Sequence, residues 1–410
     1  MATNWAGNVA FQAVRVDRPQ SIDELRTLVA AQPRIRALGT GHSFSAVADT
    51  TGVLVRLDGL PPVIEVDPAA ATVTVSAGLR YADIVEPLHR AGFALANLAS
   101  LPHISVAGSV ATGTHGSGDA SRCLSDAVVG LTLVTATGEL VRFERASSEE
   151  FPGVVVALGA LGIVTALTLR VEPAFEVAQT VYLDVSLDEL ATDFSAIFGS
   201  AYSVSAFTAY EGGVANVYQK ARLDQGRGAW VGERPAAAAT HPIPTVDPAA
   251  CTEQLGVPGP WHQRLPHFRP DHTPSAGAEL QSEFFVDRSD APAALAALRS
   301  VAGAVAPVLQ ISEIRTVCAD DLWLSPSYGR DSVAFHFTWI DDLPAVLPVV
   351  SLVESVLLPL GARPHWGKVS TAPPAQVAAR YPRLPDFAAL ARRLDPYGKF
   401  RNAFVDEMIG

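Results

Sequence analysis

The sequence predicts an α+β fold of two domains, the first of them built from separate parts of the chain. At 410 residues the chain is longer than the roughly 100–200 residues of an ordinary domain. Short strand patterns alternate with amphipathic helices up to residue 172, and the pattern of the sequence changes from Pro173. The apolar residues of the C-terminal segment need a core, and packing them against the first domain would make that domain discontinuous.

The first domain begins with a helix whose start is marked by Ser21 and Glu24, a hydroxyl and a carboxylate at the spacing of a capping box. Gly92 is placed to end a second, amphipathic helix. Apolar alternation and turn residues predict the other elements. The predicted elements are helices at 21–31, 81–91 and 151–162, strands at 34–38, 53–57, 72–75 and 163–171, and a hairpin over 127–145 that turns at Thr137 and Gly138.

The second domain is predicted to hold a further sheet. Its strand patterns lie at 177–185, 204–207, 214–219, 279–286, 309–317 and 332–340, and its helical patterns at 187–198, 291–302 and 344–360, with a further helix at 386–394 near the C-terminus. Between residues 223 and 278 the sequence is rich in Pro and Gly and shows no clear periodicity. A loop of this length in a compact domain usually covers a site or packs against a neighbouring domain.

Charge and composition exclude several classes of function. The formal net charge is -12, and no segment has the basic face that nucleic acid or an anionic membrane requires. Cys123, Cys251 and Cys318 lack the paired spacing of a metal or redox site, which predicts reduced, buried thiols and no metal. The N-terminus has no leader pattern, and no segment has roughly eighteen uninterrupted apolar residues. We expect a monomeric cytoplasmic protein.

The first candidate site is a glycine loop. An apolar strand ends at Leu38 and runs directly into Gly39 and Gly41, with His42 next in the sequence. Glycines lack a Cβ and can adopt positive φ, so successive backbone N–H groups can converge on a phosphate. A plain turn that contains a histidine is the alternative, because the loop has neither a Walker sequence nor the third glycine of a dinucleotide fingerprint.

A second unusual stretch, residues 98–118, consists mainly of Gly, Ala, Ser, Thr and His. Such residues bury little area of their own, but they allow close approach to the backbone and supply hydroxyl and N–H groups. A flexible linker is the alternative reading, although Ile104, Val106 and Val110 are interleaved regularly. The composition favours packing around a flat ligand with polar edges.

Two predicted strands carry polar pairs. Because side chains alternate between the faces of a strand, Glu313 and Arg315 share one face, and His336 and Thr338 share another. A structural ion pair and a core histidine are the alternatives for these two pairs. Together with Lys368, they supply a base, an acid pair, a hydroxyl and an ammonium group, which are the contents of a site for a polyhydroxy substrate.

Taken together, these motifs resemble the vanillyl-alcohol-oxidase-type flavoproteins and, among them, the bacterial alditol oxidases. The resemblance is carried by residues 36–45, residues 98–118, the Pro-His-Trp-Gly-Lys sequence ending at Lys368 and the Asp-Pro-Tyr-Gly-Lys-Phe sequence beginning at Asp395. It implies an FAD-binding domain at 1–172, completed by a C-terminal segment at 370–410. It also implies an inserted substrate-binding cap domain at 173–369, built on an antiparallel sheet.

The resemblance further implies the contacts with FAD. His42 matches the histidine that, in covalent members, is bonded to the 8α-methyl group of the isoalloxazine ring, a reaction that needs a neutral imidazole. The other expected FAD contacts are Ala37, Leu38, Gly39, Thr40, Gly41, Ser43, Ser100, Ser105, Gly108, Thr112, Gly113, Thr114, His115, Ile163 and His365.

The implied reaction is oxidation of the terminal C1 hydroxyl of alditols such as xylitol and sorbitol to the aldose, with dioxygen reduced to hydrogen peroxide. We expect His336 to take the hydroxyl proton and Lys368 to place the hydroxyl and stabilise negative charge. Glu313 and Arg315 complete the expected catalytic set through charge-assisted hydrogen bonds to the inner hydroxyls. The residues expected to contact the polyol are Ser100, Glu313, Arg315 and Thr338.

Two other functions are compatible with these motifs. A sugar-lactone oxidase or dehydrogenase would share the histidine loop and the His-Trp-Gly-Lys sequence. A non-catalytic flavin-binding or electron-transfer protein would not need an acid–base set facing the ring. Ala99 matches a position that gates the approach of oxygen to the flavin, although a small residue there does not by itself separate an oxidase from a dehydrogenase.

Overall fold

Short strands and helices alternate through the first part of the chain in the computed structural model, which describes residues 2–272 and 278–409. The strands are β1 (Arg15–Asp17), β2 (Ile35–Ala37), β3 (Val53–Val55), β4 (Ile64–Asp67), β5 (Thr72–Ser76), β6 (Phe93–Ala94), β7 (Val128–Val134), β8 (Leu140–Glu144), β9 (Ile163–Arg170) and β10 (Glu172–Pro173). The helices are α1 (Ile22–Ala31), α2 (Tyr81–Arg90), α3 (Val106–Thr112) and α4 (Phe151–Val155).

These strands form two main sheets, a parallel sheet in the order β1-β3-β2 and an antiparallel sheet in the order β4-β5-β9-β7-β8. In β9 buried and partly exposed residues alternate, so that Leu167 and Leu169 face the core. The predicted hairpin is confirmed: β7 and β8 pair through a turn in which Gly138 has φ +84°. Only glycine adopts that conformation at little cost.

The predicted start of α1 is confirmed in one half of its capping box. The Ser21 hydroxyl accepts a hydrogen bond from the Glu24 backbone N–H at 3.1 Å. The Glu24 carboxylate does not return to the Ser21 backbone and instead accepts from the Gln20 N–H at 2.7 Å. One amide donor that the first helical turn leaves unpaired is therefore satisfied, and the second bond fixes the residue before the cap.

An eight-stranded antiparallel sheet dominates the second part of the chain, in the order β14-β11-β13-β12-β16-β17-β15-β18. Its strands are β11 (Glu176–Ser186), β12 (Ser203–Thr208), β13 (Val214–Arg222), β14 (Pro258–Pro260), β15 (Leu280–Asp287), β16 (Leu309–Val317), β17 (Ser332–Trp339) and β18 (Arg363–Pro364). The accompanying helices are α5 (Leu187–Thr192), α6 (Phe194–Phe198), α7 (Ala291–Ser300), α8 (Ala302–Val305) and α9 (Leu343–Leu357), followed by α10 (Pro374–Ala378), α11 (Leu384–Leu394) and α12 (Ala403–Ile409).

One face of this large sheet is an apolar core and the other is polar. In β17, Phe335, Phe337 and Trp339 are fully buried in a cluster with residues of α5, α7 and α9. The stretch Leu343–Leu360 is long and apolar enough by length and composition to cross a membrane, and 33% of it is buried, including Val346 and Val350 in that cluster. The alternating residues of β17 therefore face the opposite side of the sheet.

Several predicted elements differ from the structure. The helix predicted at 187–198 is broken in two at Asp193. The helix predicted at 151–162 ends at Val155, because Val156 leaves the helical conformation with ψ 81° and Leu158 and Gly159 then adopt positive φ. The thiols of Cys123 and Cys251 are free and buried as expected, whereas Cys318 is partly exposed. The predicted loop at 223–278 contributes the short strand β14, which pairs with β11, and its residues 273–277 lie outside the described residues.

The C-terminal segment contacts the first part of the chain at the glycine loop. The Asn402 side-chain amide donates to the carbonyl oxygens of Ala46 at 3.1 Å and Asp49 at 2.8 Å. The buried Arg36 guanidinium donates to the carbonyl oxygens of Phe400 and Leu158. These contacts support the proposal that residues 370–410 complete the first domain.

Candidate functional site

A cavity of about 920 Å³ lies between the first part of the chain and the polar face of the eight-stranded sheet. It is far larger than a space for water, and it falls within the range of ligand and cofactor sites. The expected site residues that line it are Ala37, Leu38, Gly39, Thr40, Gly41, His42, Ser43, Ser100, Ser105, Gly108, Thr112, Thr114, His115, Glu313, Arg315, His336, Thr338, His365 and Lys368. Ala99 also lines it.

Gly113 and Ile163 are the two expected cofactor residues that do not line the cavity. Gly113 ends α3 in the left-handed conformation, with φ +70°. Ile163 is fully buried in β9, where it pairs with Val134, and its neighbours Gly162 and Val164 line the cavity instead. The structure therefore gives Gly113 a helix-ending role and Ile163 a core position next to the site.

Gly39 in the loop and Gly108 in α3 must both lack a side chain because Ser105 packs against them. A Cβ added to Gly39 would lie 2.3 Å from the Ser105 hydroxyl oxygen, and one added to Gly108 would lie 2.6 Å from the same atom. The Ser105 backbone N–H donates to the Thr40 hydroxyl at 3.2 Å. The two segments expected to hold the cofactor are thus packed directly on one another, and Ser105 lies between them.

His42 is a half-buried residue whose two ring nitrogens are buried and make no hydrogen bond within the described residues. The ring stacks on Trp5 with 5.3 Å between centroids. Burial, followed by His103 and Lys368, lowers the pKa of His42 from 6.5 to about 4. The ring is therefore neutral at physiological pH and has an unshared electron pair available to an electrophile.

The strand pairing places three polar residues in a row across the sheet. Glu283 on β15 lies opposite His336 on β17, and His336 lies opposite Glu313 on β16. Gln281 and Thr338 form a second opposed pair on the same face, two residues along each strand. The polar pairs predicted on separate strands therefore share one surface, which lines the cavity.

Arg315 joins the two carboxylates of this surface. It donates to Glu283 Oε1 at 2.5 Å, and its Nε lies 3.6 Å from Glu313 Oε2. The His115 ring pairs with Glu283 Oε1 at 3.1 Å, and the His267 ring pairs with Glu313 Oε1 at 3.0 Å. Every member is almost fully buried, so the ion pairs act in a medium of low effective dielectric.

The carboxylates of this network remain ionised. Burial alone would raise the pKa of Glu313, but the Arg315 charge and the hydrogen bond from His267 outweigh it and lower that pKa. The same balance, with Arg315 and His115 opposing burial, keeps the pKa of Glu283 well below its usual value. Burial would lower the pKa of Arg315, but its two carboxylate neighbours raise it. The network can therefore offer fixed charges to substrate hydroxyls.

Gln281 connects the two groups expected to carry out the chemistry. Its Oε1 accepts from Lys368 Nζ and lies 3.1 Å from His336 Nε2, while its Nε2 donates to Glu279 Oε1 at 2.5 Å. Because an ammonium group can only donate, the Gln281 side-chain atom that faces Lys368 must be the amide oxygen. His336 must then carry its proton on Nε2, and Nδ1, which has no hydrogen-bond partner within residues 2–272 and 278–409, keeps its lone pair.

Burial shifts the pKa values of His336 and Lys368 in the same direction. Burial, followed by the Lys368 charge, lowers the pKa of His336 from 6.5 to about 3. Burial also lowers the pKa of Lys368 from 10.5 to about 8, although Glu283 opposes the shift. At neutral pH His336 is therefore a neutral base and Lys368 is still a cation.

His365 and the glycine loop are tied together beside this pair. His365 Nδ1 accepts from the Gly367 N–H at 3.0 Å, and burial lowers the pKa of His365 to about 3. The Phe44 N–H donates to the Gly367 oxygen at 2.7 Å. The segment that carries Lys368 is thus held directly against the loop that carries His42.

Three polar residues that line the cavity were not predicted from the sequence: Gln281, Glu283 and His267. The first two had a signal, because Glu279, Gln281 and Glu283 occupy alternate positions of a strand and therefore share a face. His267 had none, since it lies in the irregular stretch before β15, where no periodicity assigns a direction to a side chain.

Comparisons with known proteins agree with this geometry. Residues 13–144 match a family model described as an FAD binding domain, and residues 278–408 match one described as D-arabinono-1,4-lactone oxidase. A solved cholesterol oxidase from B. sterolicum superposes with a TM-score of 0.79 at 14% identity, covering 100% of this chain and 96% of that chain. At that identity the likeness shows a shared fold. The fold and the cavity thus define an FAD-linked oxidase of the vanillyl-alcohol-oxidase type.

The relatives in sequence narrow the assignment. An alditol oxidase of a Streptomyces species is 51% identical over 411 residues, which covers 99% of this chain and 98% of that protein. L-gulonolactone oxidase of Bos taurus is 26% identical, covering 99% of this chain and 97% of that protein. L-gulono-1,4-lactone dehydrogenase of Mycobacterium tuberculosis is 28% identical, covering 100% and 99%. The chain belongs to the alditol oxidase family.

Proposed function

We propose that this protein is an FAD-dependent alditol oxidase that converts the terminal C1 hydroxyl of alditols such as xylitol and sorbitol to the aldehyde of the aldose. The relative with 51% identity over nearly the whole chain is named alditol oxidase. The observation that carries the proposal is the pair His336 and Lys368, a neutral base and a cation that share the Gln281 oxygen. An alcohol oxidation needs both at the reacting hydroxyl.

The cavity fits FAD. The unpartnered His42 ring and the small residues of the loop at 37–43 and of residues 105–115 would hold the cofactor, together with His365. When bound, FAD supplies the hydride acceptor and the route for electrons to dioxygen, which yields hydrogen peroxide. The small side chain of Ala99, which lines the cavity next to Ser100, leaves room for the approach of dioxygen.

His42 is proposed as the point of covalent attachment. Its neutral ring, with a pKa of about 4, has the lone pair that the bond requires, and Trp5 holds the ring plane. A covalent link prevents loss of the cofactor. The bond to His42 would distinguish a covalent flavoprotein from one that binds FAD without a covalent link.

The polar surface of the large sheet is proposed to bind the polyol. The fixed charges of Glu313 and Arg315 accept from and donate to the inner hydroxyls, and the Ser100 and Thr338 hydroxyls add neutral contacts. An open-chain alditol has a hydroxyl on every carbon and can satisfy such a surface along its length. The network therefore orients the chain and leaves its C1 end to His336 and Lys368.

The proton leaves through His336. Nδ1 accepts the proton of the C1 hydroxyl, while Nε2–H continues to donate to Gln281 Oε1. Because the two nitrogens have separate tasks, the ring can act without rotating. The Lys368 ammonium donates to the same hydroxyl oxygen and stabilises the negative charge that develops there. Both groups act on one oxygen atom, and the substrate carbon next to it loses the hydride.

A sugar-lactone oxidase or dehydrogenase is the second candidate. The family model over residues 278–408, described as D-arabinono-1,4-lactone oxidase, spans Glu313, Arg315, His336 and Lys368. The lactone relatives at 26% and 28% identity also span nearly the whole chain. A monomeric state and a cytoplasmic location remain predictions from the sequence, as does the absence of nucleic-acid and membrane partners.

The substrate is tested on the flavin-loaded protein without oxygen. Xylitol, sorbitol, glycerol and gulonolactone are added separately, and bleaching of the visible flavin absorbance is followed before oxygen is admitted and peroxide is assayed. We expect rapid bleaching by the alditols and peroxide on reoxidation. Bleaching by the lactone alone would favour the second candidate, and bleaching by none of them would contradict both.

The covalent link is tested by acid precipitation. A yellow pellet is expected from the wild-type protein and a colourless pellet, with FAD in the supernatant, from His42→Ala. A yellow pellet from the variant would contradict attachment at His42.

A further inference from the structure

Lys220 is a buried lysine that the proposed reaction does not use. It lies on β13 and is 2% exposed. Its Nζ donates to the carbonyl oxygens of Leu265 at 2.5 Å and Pro266 at 3.2 Å, and it lies 3.4 Å from His267 Nδ1. Within the described part of the chain no carboxylate stands within ion-pair distance of it. Burying an ammonium group in this way is costly, which points to a role for its charge.

The contacts of Lys220 and of the ionised Glu313 carboxylate agree on where the His267 proton lies. An ammonium group has no lone pair, so His267 Nδ1 must accept from Lys220 and the proton must be on Nε2. Nε2–H then donates to Glu313 Oε1 at 3.0 Å. Burial, followed by the Lys220 charge, lowers the pKa of His267 from 6.5 to about 4, so the ring is neutral at physiological pH.

The result is a chain of directed hydrogen bonds from Lys220 through His267 to the carboxylate proposed to bind the polyol. One oxygen of Glu313 is engaged by His267, and the other lies 3.6 Å from Arg315 Nε, beyond hydrogen-bond range. That second oxygen makes no hydrogen bond to the described residues and has both lone pairs available to accept from a substrate hydroxyl. The orientation of the carboxylate thus depends on the direction of the His267 bond.

We propose that Lys220 is a positioning residue, which holds His267 with its proton toward Glu313 and so presents the Glu313 carboxylate to the alditol. The inference rests on the proposed function. It assigns to this chain a determinant of substrate affinity that lies behind the cavity wall, because Lys220 itself does not line the cavity whereas His267 and Glu313 do.

The same arrangement implies a pH dependence of substrate binding. Burial lowers the pKa of Lys220 from 10.5 to about 7, opposed by Glu313 and Cys251. The charged and titratable groups that face Lys220 are Glu313 and Arg315 from β16 and His267 and Cys251 from the loop. As pH rises through this value Lys220 loses one proton, and its two remaining hydrogens can be taken by the Leu265 and Pro266 carbonyls. His267 Nδ1 then loses its donor, and the ring is held less firmly against Glu313. KM should therefore rise on the alkaline side.

The test compares three variants of the flavin-loaded enzyme, assayed for kcat and KM with xylitol from about pH 6 to about pH 9, on either side of the Lys220 pKa. Lys220→Met removes the donor, and we expect KM to rise about tenfold with kcat within about twofold. Lys220→Arg keeps a cation that does not titrate in this range, so its KM should stay near the value of the wild type at the acidic end of the range and lack the alkaline rise. An unchanged KM in Lys220→Met, or a wild-type alkaline rise in Lys220→Arg, would overturn the proposal.

Lys399→Met is the matched control. Lys399 is also a buried lysine whose Nζ donates to two carbonyl oxygens, those of Val29 and Ala30, but it does not line the cavity or contact His267. Its loss should lower stability without changing KM or its pH profile, and an equal rise in KM would overturn a specific role for Lys220. Wild-type enzyme that fails to oxidise any alditol would overturn the proposed function itself and this inference with it.

Discussion

Replacing His336 by alanine tests the proposed base most directly. A positioned general base contributes about 10²- to 10⁴-fold to a rate. His336 is buried, and its pKa is lowered from 6.5 to about 3. That difference opposes proton uptake by about 5 kcal/mol, at about 1.4 kcal/mol for each pH unit. Since so weak a base gives less assistance, we expect the lower part of that range, a loss of about 10²- to 10³-fold.

The assay is the rate of flavin reduction by xylitol in a stopped-flow instrument without oxygen, because this step contains the proton transfer and excludes reoxidation. His89→Ala is the control, since His89 is a half-buried histidine on α2 that does not line the cavity. The control should reduce at the wild-type rate. Reduction of His336→Ala within about tenfold of wild type would refute the assignment of His336 as the base.

Three further predictions follow from the same contacts. Lys368→Met should lower kcat, because only the charged form of Lys368 stabilises the developing oxyanion. Because the pKa of Lys368 is about 8, the wild-type kcat should fall above about pH 8, and the variant should lack this fall. An alkaline fall in the pH profile of the variant would contradict this. Gln281→Leu leaves Lys368 and His336 Nε2 without their shared acceptor, and the reduction rate should fall about tenfold or more, as stopped-flow traces would show. Asn402→Ala removes hydrogen bonds to the Ala46 and Asp49 carbonyls and should lower the free energy of unfolding by about 1–3 kcal/mol, measured by urea titration; an unchanged midpoint would exclude a stabilising role.

The sequence was sufficient to predict the faces of single strands, because a period of two depends only on the strand itself. Glu313 and Arg315 share a face of β16, and His336 and Thr338 share a face of β17, as predicted. That β16 and β17 are direct neighbours, so that His336 lies opposite Glu313, is a property of the pairing between segments distant in the chain. No local pattern specifies such a register.

The glycine loop shows a different limit. The pattern at Gly39 and Gly41 predicts a backbone that something must approach closely, and Gly41 does adopt φ +73°. At Gly39, however, the group that approaches is the Ser105 hydroxyl of the protein itself. A sequence pattern reports that a side chain is forbidden at a position, but it does not report which neighbour forbids it, because that neighbour is distant in the chain.

His267 and Lys220 lay beyond sequence reasoning for a related reason. His267 stands in a stretch without periodicity, and Lys220 is a lysine in a strand, where an exposed position is the ordinary expectation. Both acquire their roles from a loop that folds back over the sheet and brings the carbonyls of Leu265 and Pro266 to the lysine. Only the path of that loop makes a buried ammonium tolerable.

Burial lowers the pKa values of both His336 and Lys368, yet it leaves the first as a neutral base and the second as a cation. Burial lowers the pKa of His336 from 6.5 to about 3 and that of Lys368 from 10.5 to about 8. Because the ordinary values of the two groups differ by several pH units, the same desolvation leaves the imidazole neutral and the ammonium charged at neutral pH. Gln281 then holds both on one oxygen. A hydroxyl that contacts the Nδ1 lone pair of His336 within reach of the Lys368 ammonium meets a base and a positive charge together, which is the condition for removing its proton while the adjacent carbon gives up a hydride.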